Sequence, residues 1–155
     1  MGGRGERFAQ RLVALPDIAF VQIGDFFGQA FRHAAAAGAR HVTLASMIGK
    51  LAKFAAGHEL VHSRESSQDF HFLGELAQQA GAAQLLVKRT CSANTAQEVS
   101  ELMSEAGVTT FHDLLCRAAW EYAASLMHGA YTVEVILLGR AGEVLGSYGD
   151  KNGAR

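Results

Sequence analysis

The sequence predicts an α/β fold, a mostly parallel sheet flanked by helices and finished by a C-terminal antiparallel β-hairpin. Three observations support it. Helix-like and strand-like segments alternate through the first half, the pattern of crossover units that lay strands parallel. Two β-rich runs near the C-terminus are separated by Gly139-Arg140-Ala141-Gly142, a hairpin signal. The chain has 155 residues, 49% of them hydrophobic and 19% charged, enough apolar material for one core.

Residues 6–15 read as a helix with Phe8, Leu12 and Leu15 near one face, closed by Pro16. The apolar run 18–23 is rich in β-formers and is expected to be a strand. Gly24-Asp25 then opens a helix over 26–37, ended by Gly38. Residues 41–45 have the length and character of a buried central strand. A turn at 46–49 leads into a helix over 50–56, and a loop covers 57–66. Further helices are expected over 67–80, from a cap at Asn94-Thr95 to Ala106, and from a cap at Thr110 to Met127. Strands over 131–138 and 143–148 form the hairpin. There is no internal repeat or low-complexity linker, so residues 1–155 are expected to form a single α/β domain.

The formal net charge is −1, with no basic cluster beyond Lys50/Lys53 and Lys88-Arg89. Nucleic acid is therefore not an expected partner, since phosphate backbones call for a positive face. No apolar stretch approaches the ~18 residues of a membrane span, and the first residues lack the pattern of a secretory signal. A cytoplasmic protein is expected. Cys91 and Cys116 lie in helical-looking sequence with no C-x-x-C spacing and read as thiols rather than a disulfide or zinc knuckle.

The segment from Leu44 to Leu51 carries the main functional signal. Ligands of open α/β sheets bind beyond strand C-termini, where helix N-termini offer unpaired backbone N–H groups. Gly49 permits close approach and Lys50 adds positive charge. Ser46 stands at the same junction, and Asp25 at another. The segment is not a nucleotide P-loop, because Leu44 and Leu51 stand where that motif needs glycine and Ser or Thr. His58-Glu59-Leu60-Val61-His62 matches H-E-x-x-H, in which a helix would present two histidines on one face. Gly57 weakens a helix there and no third ligand stands at diagnostic spacing, so a zinc hydrolase using His58 and His62 is the minor alternative, and no metal site is expected.

Several segments together resemble the C-terminal part of the cobalt-precorrin-5B (C1)-methyltransferase family of anaerobic cobalamin biosynthesis. They are Gly2-Gly3-Arg4-Gly5-Glu6, Gln22-Ile23-Gly24-Asp25-Phe26-Phe27-Gly28, the block from Ile48 through Gly49-Lys50-Leu51-Ala52-Lys53 to Gly57, His62-Ser63 with Asp69, and Ala93-Asn94-Thr95-Ala96. The resemblance implies methyl transfer from S-adenosyl-L-methionine to C1 of a cobalt-precorrin, a tetrapyrrole with many carboxylates. It implies binding by Gly3, Asp25, Ser46, Gly49, Lys50, Lys53, Ser63, Arg64, Asn94 and Thr95, with His62 as the catalytic candidate. Ser46, Met47 and Val61 depart from the glycine, histidine and threonine common in the family. The family's N-terminal domain is expected to be absent from this chain, and that domain or a second subunit is the expected partner. The alternative within the family is a catalytically inactive tetrapyrrole- or anion-binding fragment.

Overall fold

A computed structural model describes residues 3–62 and 66–150. Ser63 and Arg64 lie outside the described residues. Seven α-helices and three strands are formed among them: α1 (Gly3–Leu12), α2 (Phe27–Ala36), β1 (His41–Met47), α3 (Ile48–Ala55), α4 (Phe70–Gln79), α5 (Gln84–Cys91), α6 (Ala96–Glu105), α7 (Thr110–Met127), β2 (Thr132–Leu138) and β3 (Val144–Gly149).

The sheet has the order β1-β2-β3. β1 runs parallel to β2, with His41 opposite Thr132 and Met47 opposite Leu138. β3 returns antiparallel to β2 through residues 139–143, with an irregularity at Leu137/Leu138. The expectation of a mostly parallel sheet is thus corrected: the sheet is mixed, with one parallel and one antiparallel pairing. The expected hairpin is matched only in part: β2 and β3 pair antiparallel with a shifted register, and β2 is the central strand of the sheet with β1 at its edge.

The difference traces to residues 18–23. Pro16 opens a 3-10 turn over Asp17–Ala19 rather than a strand. Ile18 and Val21 stay exposed, at 92% and 63%, while Phe20 packs against Ala9, Ala45, Ile136 and Leu138. An apolar run without period 2 signalled contact with the sheet, not membership of it.

Side chains alternate across the sheet. Val133, Val135 and Leu137 are fully buried and join Phe27, Phe54, Leu51 and Leu115 in the main core, so α2, α3 and α7 cover this face. The other face is covered over Ala45, Ile136 and Leu138 by α1 and Phe20. α7, 18 residues long, ends at His128 in the left-handed region (φ 50°).

Local boundaries follow identifiable forces. The expected turn at 46–49 does not occur: Met47 is extended (φ −81°, ψ 156°) and the chain passes from β1 into α3, anchored by buried Ile48 and Leu51. α4 starts at Phe70 rather than 67, because the Asp69 carboxylate accepts the Phe72 amide at 2.9 Å. Thr110 is the first helical residue of α7, not its cap. α5, whose limits the sequence left undrawn, ends with Lys88 and Arg89 in its last turn, where cations complement the helix dipole. Cys116 on α7 is buried, which pushes its thiol up to about 12.

Candidate functional site

The site forms where α3 leaves β1 and meets two irregular segments. Gly24 adopts φ 57°, a left-handed conformation that turns the chain sharply before α2. Phe26 pairs with Leu60 in an isolated antiparallel bridge, and the Val61 amide donates to the Asp25 carbonyl at 3.0 Å. The Gly28 amide donates to the Glu59 carbonyl at 3.0 Å. The turn around Asp25 and the segment 59–61 therefore run side by side.

Two lysines of α3, three residues apart and so on one face, hold these segments. The Lys50 ammonium meets the Asp25 carboxylate at 2.9 Å and donates to the Gly24 carbonyl at 3.0 Å. An ammonium has three donors, so these contacts leave one for a ligand, and the side chain remains 38% exposed. Lys53 is 7% exposed and donates to the Ser66 carbonyl at 2.7 Å and the Val61 carbonyl at 3.5 Å. The Lys53 ammonium is turned inward onto the backbone carbonyls of Val61 and Ser66.

The Lys50 hydrogen bond above all holds the Asp25 carboxyl below its ordinary range; burial opposes this, and the charges of Lys50, His62 and Lys53 add to the lowering. His62 is thus within electrostatic reach of Asp25. Its carbonyl accepts both the Ser66 amide and hydroxyl at 3.0 Å, which fixes the backbone there.

Gly49 is exposed in the first turn of α3, with open space where a Cβ would stand. Its amide is among the helix-initial N–H groups that lack an intrahelical partner. Ser46 is 5% exposed and its hydroxyl donates to the Met47 carbonyl at 3.2 Å, so it presents little to solvent. Thr95 accepts the Glu98 amide at 3.1 Å and the Asn94 amide donates to the Glu98 carboxylate at 2.9 Å. That pair closes the start of α6, and none of these contacts joins it to Asp25 or Lys50. Gly3 opens α1 on the opposite side of the sheet from α3.

Gln68 was not singled out in the sequence. Its amide donates to the Gly49 carbonyl at 2.6 Å, bracing the start of α3 against the chain before α4. Its Oε1 is buried with no hydrogen-bond partner among the described residues. No spacing or motif marks it, since the contact depends on the path of the loop.

The H-E-x-x-H stretch is not helical. Glu59 forms a bidentate pair with Arg32, and Leu60 sits in the bridge to Phe26. The shared helical face that the zinc reading needs is absent. Among the described residues no group of three or more His, Cys, Asp or Glu is placed to hold a metal ion.

Residues 61–149 match the family model described as CbiD, C-terminal domain. The chain belongs to the CbiD C-terminal domain family. Proteins named cobalt-precorrin-5B C(1)-methyltransferase resemble it over nearly its full length. The one from Geobacillus kaustophilus strain HTA426 is 40% identical over 146 residues, 94% of this chain and 39% of that protein. Those from Hahella chejuensis and Pseudomonas fluorescens strain Pf-5 are 35% and 36% identical, over 95% and 96% of this chain. The chain spans about 40% of the length of the curated relatives it matches. No solved structure matches it. The CbiD model covers His62, Asn94 and Thr95, whereas Asp25 and Lys50 fall in the stretch matched by the longer relatives alone.

Two predictions follow from the opposite roles of the lysines. Lys53→Met leaves buried carbonyls without a donor and is expected to lower unfolding free energy by about 2 kcal/mol, against about 0.5 kcal/mol for Lys50→Met, a partly exposed pair. Urea denaturation checks this, and equal losses would contradict the assignment. Because the folded state depresses the Asp25 pKa, ionised Asp25 favours folding above the unfolded value, about 3.9. That contribution disappears as pH falls through the lower folded value. The stability gap between wild type and Asp25→Asn, present near neutrality, should close in acid; a gap independent of pH would be inconsistent with it.

Proposed function

We propose that this chain is the C-terminal part of an enzyme that methylates C1 of cobalt-precorrin-5B in cobalamin biosynthesis, with S-adenosyl-L-methionine as methyl donor. The observation that carries the proposal is the match to relatives of that name over 94% of the chain. In this reading residues 1–155 act as one α/β domain, in the cytoplasm. No helix among the described residues is long and apolar enough to cross a membrane.

The geometry supports a carboxylate-binding role for the edge at α3. The third N–H of Lys50 and the exposed amide of Gly49 at the start of α3 form a small anion-facing corner. Carboxylates gain most from such charge-assisted and helix-terminal donors. Asp25 fixes the Lys50 ammonium, so little side-chain freedom is lost when a ligand arrives. Within the proposal Ser63 and Arg64 also contribute to ligand binding, while Lys53 shapes the corner from below. Gly3, Ser46, Asn94 and Thr95 act as structural residues rather than ligands.

The chemistry asks little of these side chains. The ring carbon supplies an electron pair to the donor's methyl carbon, and the carbon–sulfur bond breaks to leave a neutral thioether. No enzyme nucleophile is needed; alignment of the two carbons can supply much of the acceleration. His62, beside Asp25, is assigned to orient a substrate carboxylate or to move a proton at the ring edge.

The share of the relatives that the chain spans favours a second reading, tetrapyrrole binding without catalysis by these residues alone. A chimera separates the two, with this chain replacing the matching 146-residue stretch of the Geobacillus kaustophilus protein. The proposal expects methylated product from cobalt-precorrin-5B, and a kcat/KM lowered about tenfold by Lys50→Met, the loss of one charge-assisted contact. A folded chimera with no product, or one indifferent to Lys50→Met, would overturn it.

A further inference from the structure

A second feature lies against the same turn. Between α1 with the segment that follows it and the edge formed by α2 and β1 runs a cleft of about 640 Å³. That is far beyond a packing void and within the range of ligand sites. Its walls are apolar and unpartnered: Leu12 and Leu15 are each 44% exposed, Phe26 55% and Val21 63%. The lining contains no Asp, Glu, Lys or Arg; its titratable groups are His33 and His41. His41 is fixed in place, bonded to Thr132 at 2.8 Å and to Thr43 at 3.2 Å, and Thr43 donates to the largely buried Glu134 at 3.3 Å.

The cleft and the Lys50 corner are joined through the chain at two points. Ile23 and Phe26 line the cleft, and between them Gly24 and Asp25 receive Lys50. Leu44 and Ala45 also line it, and β1 continues from them directly into α3. A ligand lying in the cleft therefore has an apolar bed with a cation at one end. A carboxylate within the apolar bed would lose hydration without a charge partner, so acidic groups must reach the rim. A cationic ligand finds no carboxylate in the lining to neutralise it.

We propose that the cleft between the 12–23 segment and β1 is a binding site for the apolar face of a macrocycle whose peripheral carboxylates reach the Lys50 corner. The inference rests on the proposed function for the identity of that macrocycle, but its location stands on the cleft and the charge distribution. It places the substrate, rather than the sulfonium donor, in this cleft.

Spectrophotometric titration of the 155-residue chain with a cobalt corrinoid bearing free side-chain carboxylic acids, and with its permethyl ester, tests it. The acid should bind more tightly than the ester. Ala30→Trp, which fills the cleft, and Val21→Asp, which places an anion on its exposed wall, should each weaken binding of the acid about tenfold. Val21→Lys, equally polar, should not; circular dichroism reports whether each variant is folded. Binding that falls in Lys50→Met but is indifferent to both cleft variants would overturn the cleft while leaving the Lys50 corner and the proposed function in place. Equal weakening by Val21→Asp and Val21→Lys, or a dimer in sedimentation that closes the cleft against a second copy, would also overturn it. Methylation by the chimera with Val21→Asp at unchanged KM would do the same without touching the proposed function.

Discussion

Lys53 is the constraint on which the candidate site depends. A buried ammonium must be hydrogen-bonded or give up its charge, and here it draws in the carbonyls of Ser66 and Val61. Once Val61 is held, its amide fixes the Asp25 carbonyl and Leu60 pairs with Phe26. Asp25 then faces Lys50, one turn earlier on the same helix. Two lysines on one face thus divide the work: the inner one organises the loop and the outer one meets whatever binds there.

The same turn relates the two halves of the proposed ligand surface. Phe26 and Ile23 look toward the apolar cleft, whereas Gly24 and Asp25 look toward α3. A left-handed glycine is what allows four consecutive residues to serve both sides. An amphipathic, anion-rimmed substrate fits such a seam better than either a purely polar or a purely apolar ligand. The Arg32–Glu59 pair ties α2 to the segment before Val61, so the seam is braced from both directions.

Much of this was legible in the sequence because local physics decided it. The glycine stops and the antiparallel pairing of the final two strands depend on short-range patterns. What was not legible depended on long-range contact. Residues 18–23 carry β-formers, yet a strand needs a partner edge, and the segment instead lies across the sheet through Phe20. Lys53 looks like Lys50 in sequence, but only its long-range contacts with the Val61 and Ser66 carbonyls distinguish it. Ser46 sits at a promising junction, but continuation of β1 into α3 without a turn leaves it buried. Asn94-Thr95 carries the signature of a helix cap, and capping is the role its hydrogen bonds show.

Hydrogen exchange at the Val61 amide tests most directly whether Lys53 organises the site. That amide donates to Asp25 in a loop outside the regular elements, so its protection reports the docking of the loop rather than global unfolding. The account predicts protection in the wild type and a loss of about tenfold or more in Lys53→Met, with the amides of β2 far less affected. Val61 protection unchanged in Lys53→Met, or lost there only in step with β2, would contradict it.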